Sequence, residues 1–143
     1  MIAFVVDASV AAKLFLTGEQ EALTAEAATL FQRHAHAEVE LIVPDLFWAE
    51  LGNVFCKAIR QKRFTKEEAD ESLRDLRSKT LHTVSSEGLL DSALALALTF
   101  GRSLYDSLYV ALALEAKGQL ITADEKLVNA LGLRLPVRWL GAL

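Results

Sequence analysis

The apolar positions of this chain change period repeatedly, and the changes mark its elements. Met1 to Val6 is a continuous apolar run rich in branched side chains, as expected of a strand covered on both faces in a parallel sheet. After Asp7, the segment Ala8 to Phe15 reads as the start of a helix. Glu19 to Ala37 puts Leu23, Ala27, Leu30 and Phe31 on one helical face. His34 and His36 are expected on the surface at its C-terminal end, where a cation is favoured. Leu41 to Val43 is a short second strand. Pro44 and Asp45 open a helix whose stripe is Leu46, Phe47, Leu51, Val54, Phe55, Ala58 and Ile59. Thr65 and Glu68 form a capping box ahead of a mostly polar, peripheral helix that ends near Lys79.

The second half repeats the alternation. Leu81 to Val84 is a strand. Ser85 or Ser86 caps a Leu/Ala-rich helix from Gly88 to Phe100, predicted to be largely buried and to end at Gly101. Tyr105 to Ala113 is apolar almost all round and reads as a buried helix, with Gly118 as its expected terminator. Leu120 to Thr122 is a strand, Glu125 to Leu131 a helix, and Leu135 to Leu140 a strand confined to an edge by Pro136. Strands alternating with helices predict one α/β domain over residues 1–143, a mainly parallel sheet with helices on both faces.

Composition changes this picture in three places. The 143 residues are 52% hydrophobic and the mean hydropathy is +0.28, more than a core alone requires, which suggests a second buried surface such as a homodimer or partner interface. No run approaches the roughly 20 apolar residues of a membrane span, and the N-terminal run is cut short by Asp7 with no basic segment before it, so no membrane association and a cytoplasmic protein are expected. Cys56 is the single cysteine, which excludes an intrachain disulfide and a cysteine-based zinc site. The net charge of −4 is not that of a general polyanion binder.

The chemistry is carried by acids placed against this apolar background. Asp7 and Asp124 follow two predicted strands, at the sheet edge where ligands bind in open α/β folds. Glu50 lies on the apolar stripe of its helix, between Leu46 and Val54, with Asn53 one turn on as a residue that could orient it. Asp106 starts the buried helix and shares a face with Tyr109, Val110 and Ala113. Taken singly, Asp7 could be a helix N-cap and Glu50 a residue at the stripe margin. Together, four converging carboxylates repel one another, and a hard divalent cation relieves this. Mg²⁺ or Mn²⁺ suits an oxygen-only set, and such a cation serves phosphoryl chemistry by activating water and stabilising charge.

The segments Val5-Val6-Asp7-Ala8-Ser9-Val10, Ala49-Glu50-Leu51-Gly52-Asn53-Val54-Phe55, Tyr105-Asp106-Ser107-Leu108-Tyr109-Val110-Ala111-Leu112-Ala113 and Thr122-Ala123-Asp124 resemble, in order and spacing, the PIN domain and within it the VapC-type toxins. The resemblance implies a three-layer PIN-like fold and a metal-dependent endoribonuclease, the toxin of a type II toxin–antitoxin pair. It also implies a homodimer held in check by a small cognate antitoxin. It carries Asp7, Glu50, Asp106 and Asp124 over as the catalytic and metal-holding acids, with Mg²⁺ or Mn²⁺ as cofactor, and Ser9 and Thr122 as supporting hydroxyls. RNA would be cut by water to leave 5′-phosphate and 3′-hydroxyl ends. The basic residues between Lys57 and Lys66 are not part of that pattern. Among them Arg60, Lys62 and Arg63 are candidates for holding flanking RNA phosphates, against the plainer reading of a solvated helix end. Two other classes compete: a non-catalytic RNA-binding or scaffold domain of the same fold, and a Mg-dependent phosphatase of the haloacid-dehalogenase type with Asp7 as nucleophile. The second wants another Asp where this chain has Ser9.

Overall fold

Branched and aromatic residues that alternate between two covered faces build the centre of the sheet. In the computed structural model, which describes residues 1–19 and 21–143, β1 (Ile2–Val6) is flanked by β2 (Val39–Pro44) and β4 (Gln119–Thr122); β3 (His82–Val84) and β5 (Val137–Trp139) form the edges. All four pairings are parallel and the order is β3-β2-β1-β4-β5. The chain winds outward from β1 to β3, then returns to the other side of β1 for β4 and β5. The direction therefore reverses between β1 and β4, and the C-terminal ends of these two strands flank the point where open parallel sheets bind ligands.

Alternate residues of β1 show that both faces are covered. Phe4 lies beneath the Arg33 guanidinium of α2 (Thr24–Ala35), 5.9 Å from its ring centre. Its neighbour Ala3 faces Leu112 and Ala116 at the end of α6 (Leu104–Glu115). Helices therefore pack on opposite sides of the sheet, as expected from the sequence. The remaining helices are α1 (Ala8–Ala12), α3 (Leu46–Arg60), α4 (Lys66–Ser78), α5 (Leu90–Phe100) and α7 (Glu125–Leu131). The capping box of Thr65 and Glu68 is present at the start of α4.

Several expectations are corrected. α2 starts at Thr24 rather than Glu19, because Leu23 adopts a left-handed conformation, φ 66°, that no helix continues through; Gln20, inside the expected helix, lies outside the described residues. α1 ends at Ala12, not Phe15. His34 is not a free surface residue. Its Nδ1 accepts from the Leu41 N–H at 3.2 Å and its Nε2 lies 3.0 Å from the Lys79 carbonyl, so the ring ties α2 to β2 and to the end of α4. Ser86 does not cap the next helix. Its hydroxyl and N–H donate to Asp45, which fastens the start of α3 to the loop after β3. Donors on an exposed carboxylate hold Asp45 below its usual range.

α5 also departs from the expected burial. Only Ala93 is buried in that helix, while Leu90, Leu94 and Leu98 are 42, 55 and 78% exposed. Their i, i+4, i+8 spacing makes one stripe, and α6, apolar all round, is the helix that fills the core. A Leu/Ala-rich sequence does not distinguish a helix buried by its own chain from one whose outer face awaits another surface.

Candidate active site

Parallel pairing of β1 with β4 brings Val6 opposite Ile121, so the residues that follow, Asp7 and Thr122, meet at the C-terminal edge. Thr122 is fully buried and its hydroxyl donates to Asp7 Oδ2 at 2.5 Å. The Ser9 hydroxyl donates to Asp7 Oδ1 at 2.5 Å, and the N–H groups of Ser9 and Val10 add bonds of 3.1 and 3.3 Å to the same oxygen. The two hydroxyls are themselves fixed: Ser9 Oγ accepts from the Ala123 N–H and Thr122 Oγ1 from the Asp124 N–H, each at 3.1 Å. Ser9 and Thr122 thus join the two strand ends around one carboxylate, which gives both expected supporting residues a physical role.

Asp7 and Asp124 are both N-caps, of α1 and α7. Capping accounts for only one oxygen of each. Asp124 Oδ1 accepts from the N–H groups of Lys126 and Leu127 at 3.0 and 3.3 Å, and its Oδ2 has no protein partner among the described residues. Asp106 stands in the first turn of α6, behind the Ser103 N-cap, with its Oδ2 3.5 Å from Arg102 Nη2. Glu50, on α3, accepts from the Tyr109 hydroxyl at 2.5 Å. Asn53 lines the same cleft but makes no hydrogen bond to Glu50 among the described residues; Tyr109 takes the orienting role expected of it. The site therefore gains two residues the sequence reading gave no role, Tyr109 and Arg102. Tyr109 was within reach of that reading, because it sits three residues after Asp106 on the same helical face and carries a hydroxyl. Arg102 gave no such signal.

All four acids, with Ser9, Asn53, Tyr105 and Tyr109, line one cleft of about 560 Å³. Its electrostatics are uneven. Burial pushes the Asp7 carboxyl up to about 6; the donors Ser9, Thr122 and Val10 pull the other way, and the negative charge of Glu50 adds to the rise. Desolvation rather than mutual repulsion is the main strain. Burial likewise pushes the Tyr109 hydroxyl far above its ordinary value, followed by its bond to Glu50 and the charges of Glu50 and Asp7, so it stays a donor. No three of the described Asp, Glu, His or Cys side chains are already gathered into a metal cage. The donor set nonetheless fits a hard divalent cation. It is all oxygen, one carboxylate is destabilised when ionised, and another has an open oxygen. Arg60, Lys62 and Arg63 are exposed and do not line the cleft. Arg63 is turned to Gln61 at 2.9 Å and to Glu21 at 3.6 Å.

A parallel sheet in this order with an acidic cleft at its switch point defines the class: the PIN-domain family model matches residues 4–131, and the chain belongs to that family. Among individual proteins, it is similar to ribonuclease VapC3 of Pyrobaculum aerophilum, 35% identical over 127 residues that span 87% of this chain and 92% of the relative. The fold is similar to the crystal structure of PAE2754 from the same organism, with a TM-score of 0.73 and 23% identity over 99% of this chain and 85% of that one. It is also similar to VapBC2 from Rickettsia felis bound to a promoter DNA fragment, with a TM-score of 0.64 and 13% identity over 96 and 98% of the two chains. A toxin–antitoxin complex from Klebsiella pneumoniae gives 0.61 and 18% over 94% of each. Membership of this family displaces the haloacid-dehalogenase alternative. No described helix is long and apolar enough to cross a membrane.

Proposed function

We propose that the chain is a Mg²⁺- or Mn²⁺-dependent endoribonuclease and the cytoplasmic toxin of a type II toxin–antitoxin pair, with a small antitoxin as its partner. The observation that carries this is the convergence of Asp7, Glu50, Asp106 and Asp124 on one cleft in a chain 35% identical to a ribonuclease. Asp7, Asp106 and Asp124 would hold the cation, with Glu50 beside them. The cation would supply charge neutralisation at the phosphodiester and a readied water. Ser9 and Thr122 keep the Asp7 oxygens in place. Tyr109 holds Glu50 by one oxygen, which leaves its other oxygen to accept a proton from the attacking water. Cleavage on this reading leaves 5′-phosphate and 3′-hydroxyl ends. Total RNA incubated with the purified protein should be cut with Mg²⁺ or Mn²⁺ and left intact with chelator. Intact RNA under both conditions, with the antitoxin absent, would favour a non-catalytic RNA-binding or scaffold role.

The basic residues Arg60, Lys62 and Arg63 would hold flanking phosphates. Replacing all three by Gln should weaken RNA binding and flatten its salt dependence while leaving metal affinity intact. An unchanged salt slope would assign them to solubility.

The protein is also proposed to be a homodimer. The exposed stripe of Leu90, Leu94 and Leu98 on α5 suits a two-fold contact, because an antiparallel copy centred on Leu94 lays Leu90 against Leu98. None of the large exposed hydrophobic residues among the described ones lies on α2 or α3. Light scattering should give a dimer for the wild type and a monomer for Leu94→Lys. A monomeric wild type would refute the assignment.

A further inference from the structure

At the border of the acidic cleft stands a cationic contact that the four-acid description leaves out: Arg102 does not line the cleft but reaches Asp106, which does. Arg102 lies in the turn between α5 and α6, one helical turn before Asp106. Among the described residues it is the one Lys or Arg paired with any of the four acids; the other Lys and Arg ion pairs join Lys13 and Arg63 to Glu21, Arg33 to Glu38, Lys66 to Asp70 and Lys79 to Asp75. The pairing is loose. Arg102 Nη2 is 3.5 Å from Asp106 Oδ2, and the two side chains are 29 and 37% exposed, a geometry in which an ion pair contributes little. The Nε, on the same edge of the guanidinium as Nη2, is buried with no hydrogen-bond partner among the described residues. That edge is the one that grips carboxylate and phosphate oxygens in pairs. Here it meets one oxygen at the limit of bonding distance and leaves its other donor unused.

Charge balance gives this residue a task. The four acids carry up to four negative charges, and one divalent cation returns two. A phosphodiester arriving there still faces a net negative cleft, and the chain as a whole is at −4. We propose that Arg102 is the phosphate-binding residue of this site: it rests on Asp106 while that carboxylate has no cation, and turns to a non-bridging oxygen of the RNA phosphodiester once a divalent cation takes Asp106. This rests on the ribonuclease reading above. Two consequences of opposite sign follow. In the absence of RNA, Arg102 competes with the cation for Asp106 and weakens metal binding. With cation and RNA both present, it strengthens RNA binding.

The test uses Arg102→Met and Arg102→Lys in the full chain. Calorimetric titration with Mn²⁺ alone should show Arg102→Met binding the ion more tightly, by about three- to tenfold, as expected when a neighbouring positive charge is removed. Fluorescence anisotropy with a short mixed-sequence single-stranded RNA in Ca²⁺, a cation of the same charge that activates water poorly, should show Arg102→Met binding about tenfold more weakly. Its slope of log affinity against log salt should be smaller by about 0.7, the loss of one phosphate contact on a single strand. Arg102→Lys should keep that slope and recover part of the affinity. Loss of both metal and RNA affinity in Arg102→Met, with a lower melting temperature, would make Arg102 a brace for the α5–α6 turn and overturn the proposal. Unchanged affinity for both would overturn it equally. A wild type that binds RNA while Arg102→Met binds it as well removes this assignment alone. A wild type that takes up no RNA with the cation present removes the ribonuclease reading and this proposal with it.

Discussion

Asp7→Asn is expected to lower RNA cleavage by at least about 1,000-fold and, without metal at pH 7.5, to raise the melting temperature. Both effects come from the same oxygen atoms. Asn keeps the acceptor that caps α1, and the Thr122 hydroxyl can reverse to accept from the new amide, so the fold is left intact. The charge is what disappears. In the wild type, burial raises the Asp7 carboxyl from 3.8 to about 6, so the folded state binds a proton that the unfolded state has already released between those values. The sign follows from linkage: where the folded state holds more protons, stability falls as pH rises. The contribution of Asp7 is fully present below about pH 4 and lost as pH rises through about 6. The shift of about two pKa units corresponds to roughly 3 kcal/mol.

Removing the charge at pH 7.5 returns up to that amount, several degrees in a domain of this size. The comparison of wild type with Asp7→Asn across pH isolates this group: the difference in melting temperature should be large at pH 7.5 and shrink towards pH 4. Divalent metal should reverse the order above pH 6, because the cation needs the ionised carboxylate. A cation at about 100 times its dissociation constant adds roughly 2.7 kcal/mol to the wild type and much less to the variant. An Asp7→Asn protein that melts lower than wild type at pH 7.5 without metal would show that the half-buried Asp7 carboxylate is not strained.

How much of this could be read beforehand depends on whether the deciding interaction is local. Strand β1, the capping box at Thr65 and the four acids were visible, because each rests on a period or a spacing within a few residues. The convergence of Asp7 and Asp124 was visible too, once alternation implied a parallel sheet whose C-terminal edge collects ligands. What was not visible depends on contacts distant in sequence. The Tyr109–Glu50 bond spans 59 residues and needs α3 and α6 to be set against each other. The loose Arg102 contact is local, yet its meaning depends on the cleft around it. The exposure of α5 could not be read at all, since Leu90, Leu94 and Leu98 look like core in any one-dimensional pattern.

Gly118→Ala is expected to destabilise the fold by about 3 kcal/mol, in the upper range of overpacking effects, and to damage the active site from about one strand length away. The sequence suggests that Gly118 is there to stop α6. The structure assigns that job to Lys117, which takes the left-handed conformation with φ 53°. The N–H of Lys117 donates to Leu114 O and that of Gly118 to Ala113 O, the double closure of a Schellman ending. Gly118 is required for another reason. A Cβ there would lie 2.2 Å from the Ala3 carbonyl oxygen and 3.0 Å from its carbon, and backbone on a central strand cannot step aside as a side chain can. The start of β4 would have to move away from β1. At the far end of the same ladder Val6 pairs with Ile121, and just beyond it Thr122 donates to Asp7; a shift of about 1 Å in such a contact costs on the order of 100-fold in rate. Two controls separate this from a general glycine effect. Lys117→Gly, which releases a strained backbone, should gain up to about 1 kcal/mol. Gly52→Ala, inside α3 beside Glu50 with nothing within 4 Å of the new Cβ, should gain about 0.5–1 kcal/mol of helix stability. Thermal melts and RNA cleavage of the three variants decide the matter: Gly118→Ala with wild-type stability would mean that β1 and β4 do not approach as closely as the register requires.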